Sequence, residues 1–112
     1  MKKIPVFFAF FLLAVLSGCV QTQENNPASG PDAAKASCIS LCQREKSIGT
    51  DLSGGPCIGN PIQETSGTVC DIAHNPRTAA DDLQENQCSA FREGAAKHFV
   101  ELDPNCAFIK YY

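Results

Sequence analysis

The chain has 112 residues, nine of them basic and twelve acidic, for a formal charge of −3. That length holds one small domain and leaves no room for a second. Lys and Arg do not cluster, which excludes the phosphate-tracking surface of a nucleic-acid-binding protein. Seven cysteines in so short a chain point to a disulfide framework and an oxidising compartment.

In chain order, Met1-Lys2-Lys3 is a positively charged start, and the thirteen residues Ile4 to Leu16 carry no polar side chain. A membrane span takes ~20 apolar residues, so this run reads as the hydrophobic region of a signal peptide. Leu16-Ser17-Gly18-Cys19 then resembles the lipobox of prokaryotic lipoproteins. The resemblance implies cleavage after Gly18, a diacylglyceryl lipid on Cys19, membrane attachment through that lipid, and a domain exported from the cytoplasm. The residue types suit the chemistry. Small side chains let a peptidase approach an extended backbone, and only a thiol supplies the nucleophile for lipid attachment. Two acyl chains then hold a protein to a membrane where one does not. Loss of residues 1–18 also removes Lys2 and Lys3, leaving 94 residues with a charge of −5. Cys19 is taken by lipid, and six cysteines remain: Cys38, Cys42, Cys57, Cys70, Cys88 and Cys106.

Residues 19–31 after the signal (1–18) are polar, with Gly and Pro, and read as a flexible tether. The disulfide-rich globular domain is expected over residues 32–112. Its first element is a helix over 33–48, started by Ser29 or Asp32 and closed by Gly49. Ala34, Cys38, Leu41, Cys42 and Ile48 fall on one helical face and are expected to point inward. Cys38 and Cys42 are one turn apart, a poor geometry for bridging each other, so each should reach a distant segment. That removes three of fifteen connectivities and leaves twelve open.

Turn signals fill residues 49–67, including Ser53-Gly54-Gly55-Pro56 and Gly59-Asn60-Pro61. A strand is expected over 68–73, a helix over 84–93 ended by Gly94, and a second strand over 98–103, the strands being read as antiparallel. The core is drawn from the large apolar residues between Ile39 and Ile109, Leu83 and Phe108 included. Such a core nets only ~3–5 kcal/mol, while each bridge adds ~2–4 kcal/mol, so the disulfides decide whether the domain folds. The expected fold is a small disulfide-rich α+β domain of two short helices and a short antiparallel β element.

The strings DLSGGPC (51–57), VCDIAHNPR (69–77), ENQCSAFREG (85–94) and HFVELDPNC (98–106) resemble a group of small, cysteine-rich exported proteins of archaea. The resemblance supports the domain boundaries and implies no activity, cofactor or catalytic residue.

No motif establishes a reaction. The cysteines form one C-x3-C and then stand 15, 13, 18 and 18 positions apart, without the second close pair of a zinc site and without a redox C-x-x-C. No serine lies in a nucleophile turn. His74 and His98 remain, near Asp71, Glu101 and Asp103 in sequence. If the strands bring them together they are metal ligands or proton carriers; otherwise they are solvated rings at strand ends. The leading reading is therefore a membrane-anchored exported lipoprotein without cofactor other than its lipid. It would serve as a structural, interaction or binding module for an envelope protein or small ligand. The alternative is a small metal-dependent or hydrolytic enzyme using His74 and His98.

Overall fold

Pro31 opens the long helix α1 (Pro31–Ser47) in a computed structural model that describes Gly18, residues 30–65 and residues 67–112. The segment up to Ser17 expected as a signal, Cys19 with its expected lipid and the expected tether up to Ser29 lie outside the described residues. Proline suits the first turn because the N–H it lacks would find no partner there. Gly30 precedes it without a side-chain cap, while Asp32 near the start and Arg44 and Lys46 near the end favour the helix dipole. The N–H groups of Ile48, Gly49 and Thr50 donate back to Arg44, Lys46 and Glu45 carbonyls, and Gly49 takes a left-handed φ of 87°. Ala34, Cys38 and Cys42 form the buried stripe. Ile48, expected on the same face, is 70% exposed, because it sits past the last helical turn where the chain turns away.

Four strands follow: β1 (Cys57–Gly59), β2 (Thr68–Ile72), β3 (His98–Leu102) and β4 (Phe108–Tyr111), side by side in that order. β1 with β2 and β3 with β4 are antiparallel. The two strands foreseen from the sequence, β2 and β3, instead run parallel, with Thr68 opposite His98 and Ile72 opposite Leu102. Residues 73–97 are long enough to carry the chain back to the end where β2 began, which a parallel pair requires. Within that crossover the expected 84–93 helix is broken. Two 3₁₀ turns (Ala79–Asp82 and Gln84–Asn86) precede a single turn of helix, α2 (Ser89–Arg92). Gln87 and Cys88 between them are extended, which lets the Cys88 side chain reach Cys57 on β1.

The two-residue period of β2 and β3 divides their side chains between two faces. Cys70, Ile72, Val100 and Leu102 pack against Ala34, Cys38 and Cys42 of α1 with Leu52 and Ile62. Val69 and Phe99 point the other way, into a smaller cluster with Cys88, Ala96 and Phe91 from the crossover. Each face is fastened covalently. Cys38–Cys70 and Cys42–Cys106 hold α1 to the first face, and Cys57–Cys88 ties the crossover over the second. Leu83 and Phe108 stay outside the core, Leu83 on an extended link between 3₁₀ turns and Phe108 on β4 with the Lys35 ammonium 4.4 Å over its ring. The molecule is thus a small disulfide-rich α+β domain. Its bridges mark it as a product of an oxidising environment, and no helix among the described residues is long and apolar enough to cross a membrane.

Candidate functional site

The parallel register separates the two histidines. His98 begins β3 opposite Thr68, whereas His74 lies two residues beyond the far end of β2. Six residues of extended chain divide these levels, about 20 Å at ~3.3 Å per residue. Each ring has a local partner instead. His98 Nδ1 is 3.1 Å from the Tyr112 carbonyl oxygen, and the ring stacks on Tyr111 at 5.4 Å. His74, half-buried rather than freely solvated, places Nδ1 2.9 Å from Asp81 Oδ1. Asp103 turns away to accept the N–H groups of Asn105 and Ala107. No grouping of three or more His, Cys, Asp or Glu suited to a metal occurs among the described residues.

Asp81 organises the loop around His74. It is 1% exposed and accepts from the His74 N–H, the Thr78 N–H, the Thr78 hydroxyl and the His74 ring. The layer of chain that seals it from water is thin. Burial raises its carboxyl, but the hydrogen bonds from Thr78 and His74 together outweigh this and hold it down at about 2. Gly55 approaches from the 51–57 turn at φ 72°, and a side chain there would run into Asp81 Oδ1. The glycine is therefore required by a close approach as well as by its backbone angle.

With its loop so fixed, Arg77 reaches across to the sheet. Its Nε donates to Asp82 at 2.9 Å, Nη1 to Glu101 at 2.6 Å and Nη2 to the Asp81 carbonyl at 3.2 Å. Glu101, 6% exposed, also has the Lys110 ammonium 3.8 Å away. Its register partner on β2 is Asp71. Asp71 Oδ1 is buried and has no hydrogen-bond partner among the described residues. The Ile72 N–H, which donates to the Pro56 carbonyl at 3.0 Å, gives the Asp71 carboxylate only minor help. Burial, then the neighbouring Glu101 charge, push the Asp71 carboxyl up to about 7, against a weaker opposing pull from Arg77.

These groups line a cavity of 380 Å³ between the second face of the sheet and the crossover. Val69, Cys88, Phe91 and Phe99 form its apolar walls, and Asp71, Glu101, Arg77 and Lys110 its polar side. The volume lies in the lower part of the ~300–1,000 Å³ range of small-molecule sites. Phe91 meets Phe99 edge-on at 4.9 Å, so the aromatic wall is mutually braced. A second groove, 530 Å³ between α1 and residues 58–64, contains no buried unpaired polar atom among the described residues. Neither histidine lines the cavity.

Comparison with family models, with curated proteins and with solved structures gives no significant match to this chain. The site is therefore read from its own chemistry.

Sequence reasoning had Asp71 and Glu101 in view only as neighbours of the histidines, and it missed Arg77, Lys110, Phe91 and Phe99 as one group. The alternation of Val69-Cys70-Asp71 and Phe99-Val100-Glu101 carries a signal, an apolar residue followed two positions later by a carboxylate on the same strand face. Only the parallel register turns those two signals into one site.

Proposed function

We propose that the protein is an exported lipoprotein, anchored to a membrane through lipid on Cys19, whose disulfide-stapled domain binds a small ligand outside the cytoplasm. The observation that carries the binding reading is the Asp71 carboxyl, unpaired at Oδ1 in a cavity with one wall of Val69, Cys88, Phe91 and Phe99. A buried polar group without a partner costs stability, so its retention calls for a reason, and a ligand that supplies the missing partner is one. Location is supported by Leu16-Ser17-Gly18-Cys19 behind an apolar run and by three disulfides in one small domain. An enzyme centred on both His74 and His98 needs the two rings in one cleft. The register places them at opposite ends of parallel strands, which favours the binding reading, although His74 does meet the Asp81 carboxylate.

The test is a thermal-shift screen of small aryl and alkyl probes against the full oxidised chain. A probe that binds the folded state raises the unfolding midpoint by mass action. Gln87→Trp, at the half-buried cavity lining, should abolish that rise. A screen in which no probe stabilises the protein, or in which Gln87→Trp changes nothing, contradicts the binding reading.

A further inference from the structure

We infer that the ligand of this cavity is a small organic cation: an ammonium group that donates to the Asp71 carboxyl, on an apolar body that lies against Val69, Phe91 and Phe99. The inference rests on the binding reading above and names the chemical class of what is bound.

The hydrogen-bond inventory of the cavity decides between donor and acceptor ligands. All three nitrogens of Arg77 are committed, to Asp82, Glu101 and the Asp81 carbonyl. Arg92 Nη1 donates to the Gln84 carbonyl, and Lys110 leans toward Glu101. None of these resident donors reaches Asp71 Oδ1, which is left without a partner. A ligand must therefore bring a donor.

Charge decides between a neutral donor and a cationic one. Every titratable group facing Asp71 can be named: Glu101 from β3, Arg77 and Asp81 from the crossover, Arg92 from α2 and Lys110 from β4. At the Asp71 carboxyl the fields of Glu101 and Asp81 oppose ionisation, and that of Arg77 alone favours it appreciably. The cationic side chains of the cavity are bonded to other acceptors, and none contacts the Asp71 carboxyl. An ammonium supplies both the missing donor and the missing charge, and a charge-assisted bond is roughly twice as strong as a neutral one.

The chain already places one ammonium in comparable surroundings. Lys110 Nζ stands 3.8 Å from Glu101 Oε2 and 5.2 Å from the centre of the Phe99 ring. A carboxylate on one side and an aromatic face on the other make a cation subsite. Asp71 beside Glu101, with Phe91 beside Phe99, offers a second carboxyl and a second ring in the same cavity, and no cation contacts that carboxyl.

The experiment titrates three probes of one shape into the full oxidised chain in detergent micelles, followed by NMR shifts of Val69, Asp71, Phe91 and Phe99. The probes are 2-phenylethylammonium, 2-phenylethanol and phenylacetate. The ammonium should bind most tightly of the three and lose about tenfold in affinity in Asp71→Asn, as expected for a hydrogen bond to a charged group. Its affinity should rise about tenfold from pH 6 to pH 8, as Asp71 ionises while the amine, with an ordinary pKa of ~10, stays charged. Lys110→Gln should tighten it severalfold by removing a competing positive charge. If phenylacetate or phenylethanol binds the cavity as well as the ammonium does, the cation inference is overturned and the binding reading stands. If none of the three perturbs these residues, both fail.

Discussion

Asp71 and Glu101 stand opposite one another on parallel strands, and only Glu101 has cationic partners, Arg77 at 2.6 Å and Lys110 at 3.8 Å. Asp71, half-buried with its Oδ1 out of water beside a like charge, is pushed up to about 7 from an ordinary 3.8. A carboxyl raised in this way binds its proton more tightly folded than unfolded. Stability therefore falls as pH rises from about 4 to about 7, and is flat above that.

Asp71→Asn removes the ionisation and should stabilise the domain by on the order of 3 kcal/mol at pH 8, with the gain shrinking to nothing near pH 4. Urea unfolding of both proteins at the two pH values measures this. An equal effect at both, or a loss at pH 8, would mean that Asp71 is not held in the strained state described.

Asp81 shows the opposite sign. Its carboxyl is held down at about 2, so its contribution is complete above its unfolded value of 3.8 and is lost as pH falls through about 2. Asp81→Asn should cost on the order of 2 kcal/mol at pH 7, with the difference disappearing near pH 2. A thermal-midpoint gap that stays constant from pH 7 to pH 2 would assign the loss to packing rather than to charge.

The three bridges are not equivalent for binding. Cys57→Ser with Cys88→Ser should cost ~2–5 kcal/mol and release the crossover from the second face, so that probe binding weakens by more than the stability loss explains. Alkylation without reductant should label none of the six cysteines in the wild type. Removal of Cys42–Cys106, which fastens the opposite face, should leave cavity affinity unchanged at a temperature where the variant is folded. Equal loss of binding in both variants would separate the cavity from the crossover.

Much of this architecture was legible from residue types, and the remainder depended on pairing partners far away in sequence. The spacing of Ala34, Cys38 and Cys42 gives the buried stripe of α1, and Pro31 and Gly49 fit its two ends. One turn between Cys38 and Cys42 directs each to a distant segment, yet nothing local chooses Cys70 and Cys106 for them. Strands β2 and β3 followed from β-branched and aromatic residues, while β1 and β4 were not foreseen, and the parallel direction of β2 and β3 depends on how residues 73–97 cross the sheet. That direction alone parts His74 from His98 and joins Asp71 to Glu101. Arg77 was the least visible participant, since its position is set by Asp81 gathering four donors from its own loop. A composition-based view also overvalues Leu83, Phe108 and Ile48, whose exposure comes from chain path and not from residue type.

Lipidation at Cys19 makes a separate prediction. Mass spectrometry of protein extracted from membranes should find residues 1–18 gone and a diacylglyceryl group on Cys19, and Cys19→Ser should block both. Recovery of the intact Met1 to Gly18 segment in the membrane-bound product would contradict anchoring by lipid.

The most direct measurement of the central claim is a titration of the Asp71 side-chain carboxyl, followed by its carbon chemical shift in the full oxidised chain without added ligand. The expected midpoint is about 7, with a fall when 2-phenylethylammonium is present. An ordinary midpoint near 4, unchanged by the amine, would show that the carboxyl already has the partner it needs, and the cavity would lose its claim to be a binding site.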